Sequence, residues 1–230
     1  MRIYALSLIM LACYAPVSCG PLDHDSSAKS QSSPGAAPPG TPAPGKSPTS
    51  LNGEVAKLSA ALEGSWDSGC DSQGFQGSGA QRIVVTYSGS EVSFLVQLFS
   101  DSKCTSVDFT SKSSGKFKIG AASEVVSGAF EYDVSYLSAV VTPNSAESLK
   151  SFKTELSSQT KPECLALAGK IELNKPFDIS NCKANAPEFS LIRVSGNELS
   201  FGGCSVEENN CKSAEQRPTF MVAPTYQRKK

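Results

Sequence analysis

The sequence predicts a mainly β fold: an antiparallel, up-and-down β-barrel with a short N-terminal helix and one inserted helix. Apolar and polar residues alternate in several short segments, and short Gly- or Ser-containing turns separate these segments. Alternation leaves one face of each strand to solvent, which is typical of antiparallel pairing. A series of such strands is expected to close on itself, because exposed sheet edges are a liability.

Residues 1–18 are predicted to be a signal peptide. Arg2 supplies a positive charge, and residues 3–12 are apolar apart from Ser7. This apolar run is too short for a membrane span, which takes about 20 residues, but it suits the core of a signal peptide. Residues 15–20 read Ala-Pro-Val-Ser-Cys-Gly, with a small residue directly before Cys19. This arrangement resembles the lipobox of bacterial lipoproteins.

The lipobox resemblance implies cleavage before Cys19 and acylation of that residue, with palmitate among the acyl groups. Cleavage at Cys13 and simple secretion are the alternatives. Cysteine parity favours Cys19, because an even number of Cys then remains for pairing, whereas cleavage at Cys13 leaves an odd number. The expected location is the bacterial cell envelope. Gly20 directly follows Cys19. An Asp at this position would resemble an inner-membrane retention signal, so the glycine favours the outer membrane.

Residues 19–50 are predicted to form the lipidated N-terminus and a disordered tether rich in Pro, Ser and Gly. Apart from Leu22, this segment has no large aliphatic or aromatic side chain beyond Cys19. It therefore cannot offset its ordering entropy by burial. In an extended polyproline conformation it would reach up to roughly 100 Å.

Residues 51–230 are predicted to be the barrel domain. A first helix is expected over 51–63, where Leu51, Val55, Leu58 and Leu62 have helical spacing. Strands are expected over 82–87, 91–99, 115–120 and 126–136, and on either side of the hairpin turn Gly196-Asn197. One further helix is expected over 145–156, with Asn144 and Glu147 at its capped start. The basic residues 228–230 are expected to be a frayed end.

The motif Gly64-Ser65-Trp66, which follows the first helix, extends this prediction to a family. A short helix, a G-x-W motif on the first strand and a strand meander resemble the lipocalin-like fold. The resemblance implies that Trp66 packs at the closed end of the barrel. The segments 64–70, 100–105 and Arg217-Pro218-Thr219 also resemble a group of uncharacterised secreted or lipid-anchored bacterial barrel domains.

Six cysteines fall within the predicted domain: Cys70, Cys104, Cys164, Cys182, Cys204 and Cys211. An exported chain meets an oxidising compartment, where disulfides are the default. Among the fifteen connectivities that six cysteines allow we favour the pairing of sequence neighbours, Cys70–Cys104, Cys164–Cys182 and Cys204–Cys211. No C-x-x-C motif occurs, so a zinc site is not expected.

Composition excludes several functional classes. The formal charge of −1, from 21 basic and 22 acidic residues, argues against nucleic acid as a partner. The single histidine is His24, in the tether, so the predicted domain contains no Ser–His or Cys–His pair for nucleophilic catalysis. Glu131 and Asp133 are expected on the wet outer face of a strand. We therefore expect no catalytic residues, no cofactor and no metal.

Two functions remain as expectations. In the first, a lipid-anchored envelope protein presents a non-enzymatic barrel to another envelope or extracellular macromolecule, or serves a structural role. In the second, a lipocalin-like carrier holds a small apolar ligand inside the barrel. An eight-stranded barrel holds packed side chains or one small ligand. Bulky residues at predicted inward positions favour the first reading; they are Tyr87, Phe94, Phe117, Phe130, Tyr132, Tyr136 and Phe201.

Overall fold

The described strands form one antiparallel sheet that closes into a barrel. The computed structural model describes residues 48–72, 80–182, 187–203, 211–222 and 225–230. The predicted signal peptide of residues 1–18, Cys19 and the tether up to residue 47 lie outside these ranges.

The described elements follow in chain order. The strands are β1 (Gly64–Asp67), β2 (Ala80–Ser88), β3 (Glu91–Phe99), β4 (Val107–Ala122), β5 (Phe130–Pro143), β6 (Phe177–Asp178), β7 (Glu188–Ser195), β8 (Glu198–Phe201) and β9 (Tyr226–Arg228). The helices are α1 (Pro48–Leu62), α2 (Ala146–Ser157) and α3 (Pro162–Ala168), with 3-10 turns at Ser180–Cys182 and Ala214–Gln216.

The barrel is a ring of eight strands in the order β4-β3-β2-β1-β9-β8-β7-β5, closed by the pairing of β4 with β5. Each pairing in the ring is antiparallel. Strand β6 lies outside the ring and pairs with the second half of β5. The predicted closed antiparallel barrel, with a helix before the first strand and an inserted helix, is confirmed.

Two tight hairpins connect neighbouring strands where the sequence predicts them. Ser88 pairs with Glu91, which leaves Gly89 and Ser90 as the turn. Ser195 pairs with Glu198 across the second turn in the same way. Both turns use a glycine at φ 60° (Gly89 and Gly196), the left-handed conformation that two-residue hairpins require. We call the end of the barrel that carries α1 and these turns the helix end.

The opposite end carries the α2–α3–β6 segment, and we call it the insertion end. Its apolar cluster joins inner-face residues of β4 and β5 to the insertion. The fully or nearly buried members are Phe109, Ala139, Val141, Phe152, Leu156, Cys164, Ile171 and Ile179. The rings of Phe109 on β4 and Phe152 on α2 lie 5.5 Å apart. The insertion therefore packs against the barrel through a core of its own.

The structure differs from the sequence prediction in the lengths of several elements. Helix α1 begins at Pro48, three residues before the predicted start at Leu51. The predicted strand 115–120 is the second half of the sixteen-residue β4. The first half was missed because its inner positions include Ser111 and Ser113, which are buried but not apolar. The strand predicted over 126–136 begins at Phe130 and continues to Pro143.

Two features of the insertion also differ. The prediction of a single further helix was wrong, because α3 follows α2; with seven residues, α3 is too short for a periodic signal. The N-cap of α2 is Ser145, which forms a capping box with Ser148. Asn144 instead accepts a hydrogen bond from Thr110 Oγ1 at 3.0 Å.

Candidate functional site

Aromatic side chains fill the barrel interior. The ring centroids of Tyr87 and Phe117 lie 5.0 Å apart, and those of Phe117 and Tyr132 lie 5.9 Å apart. The series continues from Tyr132 to Phe201 at 5.9 Å and from Phe201 to Tyr226 at 5.3 Å. These distances are typical of direct aromatic packing. The rings therefore form a continuous packed path through the helix-end half of the barrel.

The inward aromatic positions predicted from the sequence all belong to this core. Tyr87, Tyr132 and Phe201 are buried members of the apolar cluster. Partly buried residues that pack against the cluster include Phe94, Phe117, Phe130 and Tyr136. Strand alternation alone was sufficient to place these side chains, because each lies on a strand whose polar partners face outward.

The buried phenols are neutral groups at ordinary pH. Tyr87 Oη donates a hydrogen bond to Tyr132 Oη at 3.1 Å. Burial raises the pKa of Tyr87, Tyr132 and Tyr226 above the usual value for a tyrosine. These phenols therefore keep their protons at ordinary pH, and all three pack within the core.

Trp66 lies fully buried where α1 meets β1. Its indole Nε1 donates to the Leu62 carbonyl at 2.8 Å. The Arg228 guanidinium lies 4.4 Å from the centre of the Trp66 ring and donates to the carbonyls of Ala61 and Glu63. Arg228 thus satisfies carbonyl groups at the end of α1 that helix geometry leaves without partners.

The expectation of a frayed end was wrong for Arg228 and Lys229. Arg228 belongs to β9, where it pairs with Trp66 of β1. Lys229 Nζ lies 3.2 Å from Asp67 Oδ2, and Arg82 Nη2 lies 2.5 Å from the same oxygen. Hydrogen bonding from Arg82 is the main cause that lowers the pKa of Asp67 to about 2. These contacts hold the segment that follows β9 against β1.

Two disulfides join cysteines of the barrel and of the insertion. Cys70–Cys104 links the segment after β1 to the β3–β4 connection, and Cys164–Cys182 links α3 to the turn after β6. Both pairs are among those expected from the sequence. The third expected pair includes Cys204, which lies outside the described residues. Cys211 is buried, and its carbonyl accepts a hydrogen bond from the Phe189 amide at 3.0 Å.

Arg217 fastens residues 211–222 to the outer face of the barrel. Its Nη2 lies 2.5 Å from Asp133 Oδ1, and its Nε lies 3.8 Å from Glu131 Oε1. Its Nη1 donates to the Ser190 carbonyl at 2.9 Å. Glu131 and Asp133 are thus on the outer face, as predicted, but they bind a largely buried arginine instead of facing water alone. Sequence reasoning missed this role, although it singled out Arg217-Pro218-Thr219 as a motif.

Glycines make room for the segment that Arg217 fastens. A Cβ atom on Gly202 would lie 2.5 Å from Pro218 Cγ and 3.1 Å from Leu191 Cβ. A Cβ on Gly203 would collide with the ring of Phe220. We call residues 211–222 the outer strap, because they cross the outside of β7 and β8 at this close distance.

The exposed face of α2 carries a shallow groove. Its volume is about 470 Å³, and its lining consists of Ala146, Leu149, Lys150, Lys153, Thr154 and Ser157. The groove lies on the solvent side of the insertion, opposite the side on which Phe152 and Leu156 are buried.

The described residues contain neither a cluster of metal-ligating side chains nor a helix suited to span a membrane. Within ranges 48–72, 80–182, 187–203, 211–222 and 225–230, no three His, Cys, Asp or Glu side chains are grouped closely enough to hold a metal ion. In the same ranges, no helix combines the length and apolar character needed to cross a bilayer.

Comparison with known proteins gave no family: no protein-family model matches the chain, and no curated protein matches its sequence.

Proposed function

We propose that this chain is a lipid-anchored protein of the bacterial cell envelope whose β-barrel presents its outer surface to another macromolecule and catalyses no reaction. The barrel would act as a rigid platform, and a purely structural role in the envelope belongs to the same proposal. The signal-peptide pattern and the lipobox around Cys19 support the anchor.

One observation carries the platform proposal: the packed aromatic path from Tyr87 to Tyr226 occupies the barrel interior. An eight-stranded barrel has room for packed side chains or for one small ligand. Because the rings touch at 5.0–5.9 Å, the interior is used for stability. What remains for recognition is the outside of the barrel and of the insertion.

The carrier hypothesis is tested by titrating the purified protein with a fluorescent fatty-acid analogue. We expect no saturable binding at micromolar concentration. Phe117→Ala, which opens space in the aromatic path, tests whether a loosened interior gains binding. Tight, saturable binding to the wild-type protein, lost in Phe130→Ala, would replace the platform by a lipocalin-like carrier.

The anchor is tested by metabolic labelling with a palmitate analogue. Labelling should be lost in Cys19→Ala and retained in Cys13→Ala. The opposite result would move the anchor to Cys13, and labelling of neither protein would favour simple secretion.

The platform itself is tested by crosslinking on intact cells, with the soluble Cys19→Ala protein as the matched control. A specific macromolecule captured by the anchored wild-type protein, and competed by an excess of the purified soluble protein, is the expected result. Capture that the purified protein does not compete would contradict a specific partner.

A further inference from the structure

We propose that the exposed face of α2 is a docking site for an acidic peptide segment of a partner protein. The inference rests on the proposed function, because it names the surface through which the platform would bind another macromolecule.

The shape of the α2 groove suits an extended segment. Its lining residues recur three or four positions apart, so they form one stripe along the helix. The groove is largely open to solvent, and its volume is about 470 Å³. Ala146 and Leu149 supply the apolar part of the stripe, and Leu149 is also anchored against the insertion core.

The charge of the groove has one sign. Its charged lining residues are Lys150 and Lys153. Within the described residues neither lysine forms an ion pair, whereas nearby Lys175 lies 2.5 Å from Glu172. The pKa of Glu172 is lowered chiefly by Lys175 and to a smaller extent by Lys153, so Lys153 is within electrostatic reach of this carboxylate. Two cations one helical turn apart therefore line the groove, and no carboxylate is among its described lining residues.

The hydroxyl groups of the groove favour a peptide over other anions. Thr154 Oγ1 donates to the Lys150 carbonyl at 3.0 Å, and Ser157 Oγ donates to the Lys153 carbonyl at 2.7 Å. With their protons committed, both oxygens are left as acceptors. Backbone N–H groups of an extended peptide can donate to them, while its Glu or Asp side chains meet the lysines. A phosphate polymer has no N–H group to offer.

The test measures fluorescence anisotropy of a labelled peptide, Leu-Glu-Glu-Leu-Glu-Glu, with the full-length chain. We expect saturable binding that weakens at least about ten-fold when the glutamates are replaced by glutamines. The double variant Lys150→Glu/Lys153→Glu should weaken binding by a similar factor. The matched control, Lys112→Glu/Lys116→Glu on exposed positions of β4, should change affinity less than about two-fold.

A second variant separates shape from charge. Ala146→Trp fills the groove, changes no charge and lies at an exposed position, so it should abolish peptide binding and keep the thermal midpoint. Equal affinity for the glutamate and glutamine peptides would overturn the proposal, and so would an equal loss in the β4 control. Tighter binding of polyphosphate that is insensitive to Ala146→Trp would replace the peptide by a polyanion.

Failure of this inference is distinguishable from failure of the proposed function. If cell-surface crosslinking captures a partner that the Lys150→Glu/Lys153→Glu protein still binds, the proposed function is supported and the α2 docking site is rejected. If the interior binds the fatty-acid analogue and no partner is captured, the proposed function itself falls.

Discussion

The guanidinium of Arg217 lies 2.5 Å from the carboxylate of Asp133, although 84 residues separate them in the sequence. The contact joins the outer strap to β5 across the outside of the barrel. The Arg217 side chain is only 12% exposed. It therefore needs the carbonyl and carboxylate groups that surround it.

Arg217→Ala should destabilise the fold by about 2 kcal/mol, because it removes a charge-assisted hydrogen bond and leaves two strand carbonyls without this donor. Urea unfolding measures the loss. Arg217→Lys should restore little of the lost stability, because an ammonium group cannot reproduce the planar arrangement of N–H donors of the guanidinium. Arg193→Ala, at a half-buried arginine of β7, is the control, and an equal loss there would remove any special role for the strap contact.

Gly202→Ala should destabilise the protein by about 1–3 kcal/mol, since the added methyl group would meet Pro218 and Leu191 and force the strap outward. The matched control is Gly169→Ala, where nothing lies within 4 Å of the added Cβ. Gly169 has an ordinary helical φ of −76°, so this change should be neutral or stabilising by up to about 1 kcal/mol. Thermal unfolding of both variants compares them directly.

Asp67 should contribute an acid-sensitive part of the stability. Its pKa is lowered from 3.8 to about 2, chiefly by the hydrogen bond from Arg82. The contribution is therefore complete above pH 3.8 and is lost as the pH falls towards 2. Urea midpoints of the wild-type protein and Asp67→Asn should converge over this window. An unchanged difference between pH 5 and pH 2 would contradict the assignment.

The Cys164–Cys182 bridge closes an 18-residue loop and should contribute about 3 kcal/mol by the chain-entropy model. The double variant Cys164→Ala/Cys182→Ala should accordingly unfold at a lower temperature than the wild-type protein. Because the aromatic cluster at the helix end is separate from the cluster that contains this bridge, we expect the barrel to remain folded in this variant. Loss of near-ultraviolet dichroism from the barrel aromatics at the same temperature as the insertion would contradict that expectation.

The third pairing, Cys204–Cys211, stays a prediction. Peptide mapping of the non-reduced protein should recover these two cysteines in one linked fragment. A free thiol at either position would contradict the pairing of sequence neighbours.

Alternation of side chains was sufficient to predict the barrel and its aromatic core. Phe117, Tyr132 and Phe201 each lie in a segment where every second residue is apolar, and this local pattern fixes which face is buried. The hairpin turns at Gly89 and Gly196 could also be predicted from a few adjacent residues, because a positive φ in a two-residue turn favours glycine.

Contacts between distant segments could not be predicted in the same way. Arg217 and Arg228 act through carbonyls and carboxylates supplied by other elements, and a lone arginine in the sequence carries no sign of its partner. Ser111 and Ser113 are polar residues at buried inner positions of β4. The first half of this strand therefore lacks the alternation of apolar and polar residues that predicts a strand.

The placement of β9 between β1 and β8 has a consequence for assembly. The earlier strands are synthesised first. The ring stays open until residues 226–228 follow and pair with β1 and β8. Closure is therefore a late event for a nascent chain. Removing residues 226–230 would leave a slit along the barrel wall, with both flanking strands open to mispairing.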